Sequence, residues 1–304
     1  MMSEQTQHKT WFRVVDVLLI LMMVLPLLTA MTLKVLTTPA SDGISITGAQ
    51  IYMTIPMPVM ELTITEAQVN SWLILISIFG LCLFLTHGLK ADKRDWRQMA
   101  AEWIVEKLDG LVKGNMGDVF HDTYAPFIGA ILAISAFSSL MSLLGVFPPT
   151  SDVNVIAGWS ILVFILITKN KLKAGFLNYG KGFLEPIPVL LPMNILGEIA
   201  TPVSMSFRHF GNVLSGTVIS TLVAWALSSL SSLVLGWLPG FLGDIPFLQI
   251  GLPAILSVYF DLFSGCLQAY IFAMLTMLNI SEAYPADAIA ERAARREARK
   301  AKVA

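Results

Sequence analysis

Apolar runs separated by short polar or proline-rich stretches organise this chain. Val17–Leu33 is apolar and uncharged, preceded by Arg13 and Asp16 and interrupted by Pro26. Val69–Leu89 is a second such run, Phe127–Phe147 a third and Val155–Thr168 a shorter fourth. Two more close the series, from about Val203 to Leu238 and from about Gly251 to Ser281. A helix needs about 20 apolar residues to cross a hydrocarbon core about 30 Å thick, so the pattern predicts about six membrane helices. Val203–Leu238 contains no proline and would reach roughly 54 Å at 1.5 Å per residue. A helix of that length must tilt or bend in the bilayer. Pro202 marks its start or a kink, and with the last span it forms a long, tilted two-helix hairpin.

The interruptions carry their own patterns. From Thr37 to about Gln68 the chain is more polar, with Pro39, Gly43, Gly48, Pro56 and Pro58 as punctuation. Short runs at Ile44–Ile46 and Ile51–Ile55 predict a small strand-like excursion there. After Val69–Leu89 comes the basic cluster Lys90, Lys93, Arg94 and Arg97. Met99, Trp103, Leu108 and Leu111 or Val112 then recur at roughly helical spacing among Glu102, Glu106, Lys107 and Asp109. That spacing predicts an amphipathic surface helix ending near Gly114. The first run also has the length of a signal peptide, with the small residues Thr29, Ala30 and Thr32 near its end; an uncleaved span is the reading taken. The chain is expected to form one membrane domain. It comprises an N-terminal span with an outer segment over 1–68, a core over 69–282 and a basic tail over 283–304.

Composition agrees with this picture. The 304 residues are 55% hydrophobic and 13% charged, and the mean hydropathy is +0.70. Such values exclude an ordinary water-soluble class. A net charge of −1 gives no electrostatic case for nucleic acid. Cys82 and Cys266 lie inside apolar runs and read as small core hydrophobes. No zinc-protease HExxH, phosphate-cradling glycine loop or GxSxG elbow is present. Their absence points away from catalysis, and no cofactor or metal is expected.

Charge placement sets orientation. Every Lys and Arg except Lys34 and Arg208 falls on one side of a six-span path. The positive-inside rule makes that side the cytoplasm, with both termini there.

Arg208 is the exception that carries chemistry. It lies in TPVSMSFRHFGNVLSG, Thr201–Gly216, and no charged residue follows it before Asp244. A guanidinium keeps its proton at any relevant pH, and at membrane depth it is costly and generally functional. At helical spacing Ser204, Arg208, Gly211, Asn212 and Ser215 fall on one stripe, with Phe210 and Val213 turned away. On the last span Ser257, Asp261, Ser264, Gly265, Gln268 and Thr276 link into a second polar face. The serines fit equally well as contacts between membrane helices.

These residues bring a family into view. LEPIPVLLPMNILGEIATPVSMSFRHFGNVLSG and DLFSGCLQAYIFAMLTMLNIS, with AEWIVEKLDGLVKGNMG and PPTSDVNV, resemble subunit a of bacterial F-type ATP synthases. That subunit is the stator part of the ion-conducting membrane sector. The likeness covers roughly Val69 to Glu282. It implies that Arg208 is the essential arginine facing a ring of c subunits, with the two-helix hairpin turned toward that ring and Asn212 and Gln268 as polar neighbours. It implies that Asp261 is the ionisable group of the outer path and Glu198 the acid on the cytoplasmic side. Where the family often places a second ionisable residue after the arginine, this chain has Thr217. The resemblance also implies peripheral-stalk b subunits as partners, a bacterial plasma membrane, and ATP chemistry confined to other subunits.

Two other classes were weighed. A self-contained secondary transporter would show an internal repeat, and none is visible between the halves. A membrane-embedded enzyme would need convergent titratable groups, for which Asp261 and His209 are the only pair on offer. His209 beside Arg208 reads instead as a packing or hydrogen-bonding residue.

Overall fold

The computed structural model describes residues 2–37, 48–58, 61–89, 95–184, 187–235, 251–285, 289–291, 293–295 and 297–298. The Ile44–Ile46 run, the Lys90–Arg94 part of the basic cluster, Pro239, Asp244 and the far end of the tail lie outside them. The helices are α1 (Met2–Thr37), α2 (Glu66–Thr86), α3 (Trp96–Met116), α4 (His121–Leu143), α5 (Val153–Lys171), α6 (Phe176–Gly182), α7 (Leu191–Leu235), α8 (Leu252–Ser257) and α9 (Gly265–Glu282). A π-helical segment, Val258–Ser264, joins the last two. Among the described residues six helices are long and apolar enough to cross a membrane. The chain is thus a polytopic, essentially all-helical membrane protein. Its one described sheet is an antiparallel pair, β1 (Ile51–Ile55) with β2 (Leu62–Thr65), between α1 and α2.

Two elements differ from the sequence expectation. The long helix begins at Leu191 and runs through Pro202 for 45 residues, so Pro202 does not start it. Proline removes one amide donor, which leaves the carbonyl of Glu198 without its partner one turn later. The last span carries the π segment across Asp261. Its i→i+5 bonding departs from the α-helical spacing from which the polar face through Asp261 is read.

The chain divides into two compact units. The first takes residues 1–105, 133–152 and 212–266. Within it α1 and α2 pack antiparallel where side chains are small. A Cβ on Gly80 would come within 3.1 Å of the Met22 and Met23 backbone, and the Ser77 hydroxyl donates to the Met23 carbonyl at 2.7 Å. Toward one end of the pair Arg97 donates to both oxygens of Asp16, at 2.8 and 3.1 Å, and His87 lies 3.2 Å from the same carboxylate. Arg97 also sits 4.7 Å from the Phe84 ring centroid. Toward the other end Lys34 pairs at 3.1 Å with the buried Glu66. The α4 helix stops at Gly145, whose φ of +70° suits a residue without Cβ. There the Val146 amide returns to the Met141 carbonyl at 3.2 Å.

The second unit takes residues 106–132, 153–211 and 267–304. Its core gathers Ile128, Val163, Met205, Phe272, Met277 and Ile280, with Trp159 and Leu108 packed against them. A polar network is buried beside this core. Asn170 donates to the Tyr124 hydroxyl at 2.9 Å, and Lys173 donates to Asn170 at 2.8 Å and to Tyr284 at 2.6 Å. It ties the end of α5 to the chain just past α9.

Candidate functional site

Burial along α7 decides which way Arg208 faces. Met205, Ser206 and His209 are buried, and they occupy one side of the helix at spacings of three and four. His209 is completely covered, with the rings of Phe272 at 5.5 Å and Trp159 at 6.3 Å, both near perpendicular. That box supports the packing role expected for His209. Anchoring this face leaves the opposite one outward. Ser204, Arg208, Gly211, Asn212 and Ser215 are all exposed, while Phe210 and Val213 are half-buried. The polar stripe read from the sequence is therefore a continuous outward face of α7. Among the described residues Arg208 has no ion-pair partner.

Glu198, on the same helix, sits elsewhere. Lys171 of α5 donates to its two oxygens at 2.9 and 2.7 Å, and the Tyr179 hydroxyl donates at 3.4 Å. Burial, and then the neighbouring Glu198 charge, push the Tyr179 phenol above its usual range, so it stays a donor. These side chains line a cavity of about 690 Å³ together with Asn194, Thr201 and Asn279. With Glu282, Tyr284 and Asn178 also on its wall, the cavity presents two carboxylates, an ammonium, two phenols and three amides, which suit water and a small cation better than an apolar ligand.

The second face behaves differently from the first. Gln268 is 2% exposed and Thr276 fully buried, and a Cβ on Gly265 would meet Ser139 at 2.5 Å. This stripe thus packs inward. Asp261 is half-buried in the π segment, with the side chains of Ser142 and Ser257 near its carboxylate. Thr217 is half-buried, and its hydroxyl donates back to the Val213 carbonyl at 3.0 Å. Gly216 beside it lies against Phe260, where a Cβ would come within 3.1 Å.

Three participants escape sequence reasoning. Lys171 counts only toward the one-sided basic charge, Ser142 lies inside the apolar run Phe127–Phe147, and nothing singles out Tyr179. Nothing in their spacing signals the acids they hold. Among the described residues no cluster of His, Cys, Asp or Glu is arranged to hold a metal ion.

A polytopic helical protein with an outward-facing arginine inside a membrane span, and acids set in polar surroundings on two of its helices, belongs to the class of ion-handling membrane proteins. Residues 68–281 match the family model described as ATP synthase A chain, and the chain belongs to that family. It is 28% identical over 234 residues to "ATP synthase subunit a, sodium ion specific" of Propionigenium modestum, covering 71% of this chain and 73% of the relative. It is 30% identical over 228 residues to "ATP synthase subunit a 2" of Acaryochloris marina, covering 74% and 88%. To "ATP synthase subunit a" of Legionella pneumophila strain Paris it is 26% identical, covering 72% and 86%. The chain is accordingly a multi-pass component of the ion-translocating membrane sector of a multi-subunit ATP synthase.

Proposed function

We propose that the chain is the stator through which proton or sodium flow is coupled to rotation of a c-subunit ring. Arg208 faces that ring, and two aqueous half-channels reach it from opposite sides. The observation that carries this reading is the exposed polar stripe Ser204, Arg208, Gly211, Asn212 and Ser215 on a helix long enough to cross the bilayer. An arginine turned to lipid at membrane depth is costly. A protein surface bearing carboxylates would satisfy it.

The mechanism follows from charge. A ring carboxylate can travel through lipid only when a proton or bound cation neutralises it, since a bare charge there costs several kcal/mol. Opposite Arg208 the preference reverses. Two opposite charges about 4 Å apart at an effective dielectric near 20 attract by roughly 4 kcal/mol, which favours the ionised acid and expels its ion. The fixed cation also stands between the two paths and blocks a direct leak. A membrane potential biases the exchange by about 2.3 kcal/mol per charge per 100 mV.

In this reading the cavity at Glu198 serves the cytoplasmic path, and Asp261, with its serine partners and Thr217, serves the outer one. Gln268 and Asn212 act as polar neighbours of the exchange region. The positive-inside rule supports cytoplasmic termini in a bacterial plasma membrane. Peripheral-stalk b subunits would hold the chain still, and ATP chemistry belongs to other subunits.

Cysteine cross-linking tests the placement directly. In a background with Cys82 and Cys266 changed to Ser, Ser204→Cys and Ser215→Cys should form disulfides with cysteines introduced into c subunits. Ser206→Cys, on the buried side, should not. Cross-linking from Ser206→Cys alone would refute the proposed facing.

A further inference from the structure

We propose that Lys171 is a positioning residue of the ion path that offsets the Glu198 charge at the cavity. The inference rests on the proposed reading of that cavity as an access path. Lys171 is 35% exposed and Glu198 14% exposed at the side chain, and both border the cavity. The ammonium reaches both carboxylate oxygens, at 2.9 and 2.7 Å, and the Tyr179 hydroxyl adds a third donor at 3.4 Å. Among the described residues the other titratable groups at the cavity are Glu282 and Tyr284, from the end of α9 and just beyond it.

A lone carboxylate in such a recess would concentrate and retain cations, because walls of low dielectric focus its field. A lone ammonium would repel them. With the two held together, an ion crosses the cavity without a trap and without a barrier. Lys171 therefore acts through Glu198. The pair's role is to set the field in the path and does not require either group to bind the ion itself.

The inference makes a signed claim about single and double variants of the assembled, membrane-reconstituted complex during ATP-driven pumping, when the cavity side is the loading side. Initial rates are measured against sodium at fixed pH and against pH without sodium, and the ion that drives transport supplies the apparent KM. Lys171→Gln should lower that KM about three- to tenfold, and Glu198→Gln should raise it by a similar factor. Lys171→Gln combined with Glu198→Gln should return it to within about twofold of the parent, and Lys171→Arg should leave it there as well. A purely structural ion pair would lower complex yield or maximal rate in each single variant with KM unmoved. That outcome, or shifts in the same direction, overturns the inference. If Lys171→Gln fails to assemble, the upward shift in Glu198→Gln decides alone. Loss of pumping in Arg208→Ala with no KM shift in these variants would reject this inference and keep the proposed function. Normal pumping in Arg208→Ala would reject the function itself.

Discussion

The short hydrogen bonds to the Glu198 carboxylate come from Lys171, at 2.7 and 2.9 Å, and Arg208 on the same helix faces outward instead. One long helix thus carries two charges with different tasks. The acid is committed to a partner within its own unit, and the arginine is left exposed on the helix surface. Met205 and His209, sunk in the core, enforce this division by fixing the rotation of α7.

Close approach at Gly265 should make that position intolerant of any side chain. A Cβ there would fall 2.5 Å from the Cβ of Ser139, and overpacking of this kind typically costs about 1–3 kcal/mol. Gly265→Ala should lower the yield and thermal stability of the assembled complex. Adding Ser139→Gly should recover most of the loss, and failure of that suppressor would show that the contact is not the cause.

The Asp16 and Arg97 pair should be energetically coupled. Both side chains are mostly covered, at 19% and 15% exposure, and the Asp16 carboxylate holds the guanidinium above even its ordinary high pKa. Hydrogen bonds between charged groups contribute about 1.5–3 kcal/mol. In a double-mutant cycle with Asp16→Asn and Arg97→Met, followed by thermal unfolding in detergent, the coupling should be about 1–3 kcal/mol. Additive losses would remove this pair as a tie between α1 and the start of α3.

Asp261 should govern rate rather than assembly. Asp261→Asn keeps the size of the side chain and its approach to Ser142 and Ser257, so the complex should form normally. Ion flow from the outer side should slow by about tenfold, the scale of about 1.4 kcal/mol, with a smaller slowing in Ser142→Ala. An unchanged flux would take Asp261 off the path.

Much of this was legible in the residues because membrane proteins write their fold in hydropathy. Six apolar runs gave six spans, and an arginine inside one of them announced itself. The stripe from Ser204 to Ser215 was readable since a helix repeats its faces at fixed intervals. Other features were hidden for physical reasons. Pro202 reads as a start or a kink, and α7 runs through it from Leu191, although the ring has no amide to give the carbonyl one turn back. The π segment VYFDLFS contains neither glycine nor proline, so nothing in its composition marks the change of register. The contact between Lys171 and Glu198 joins separate helices, and a single sequence carries no trace of such pairing.

The most direct test of the account is ATP-driven ion uptake by vesicles containing the complex with Arg208→Ala, compared with parent vesicles of equal complex content. The account predicts that the variant assembles in the membrane but pumps at no more than a few per cent of the parental rate, about a 2 kcal/mol or larger loss in coupling. Uptake at the parental rate would contradict it.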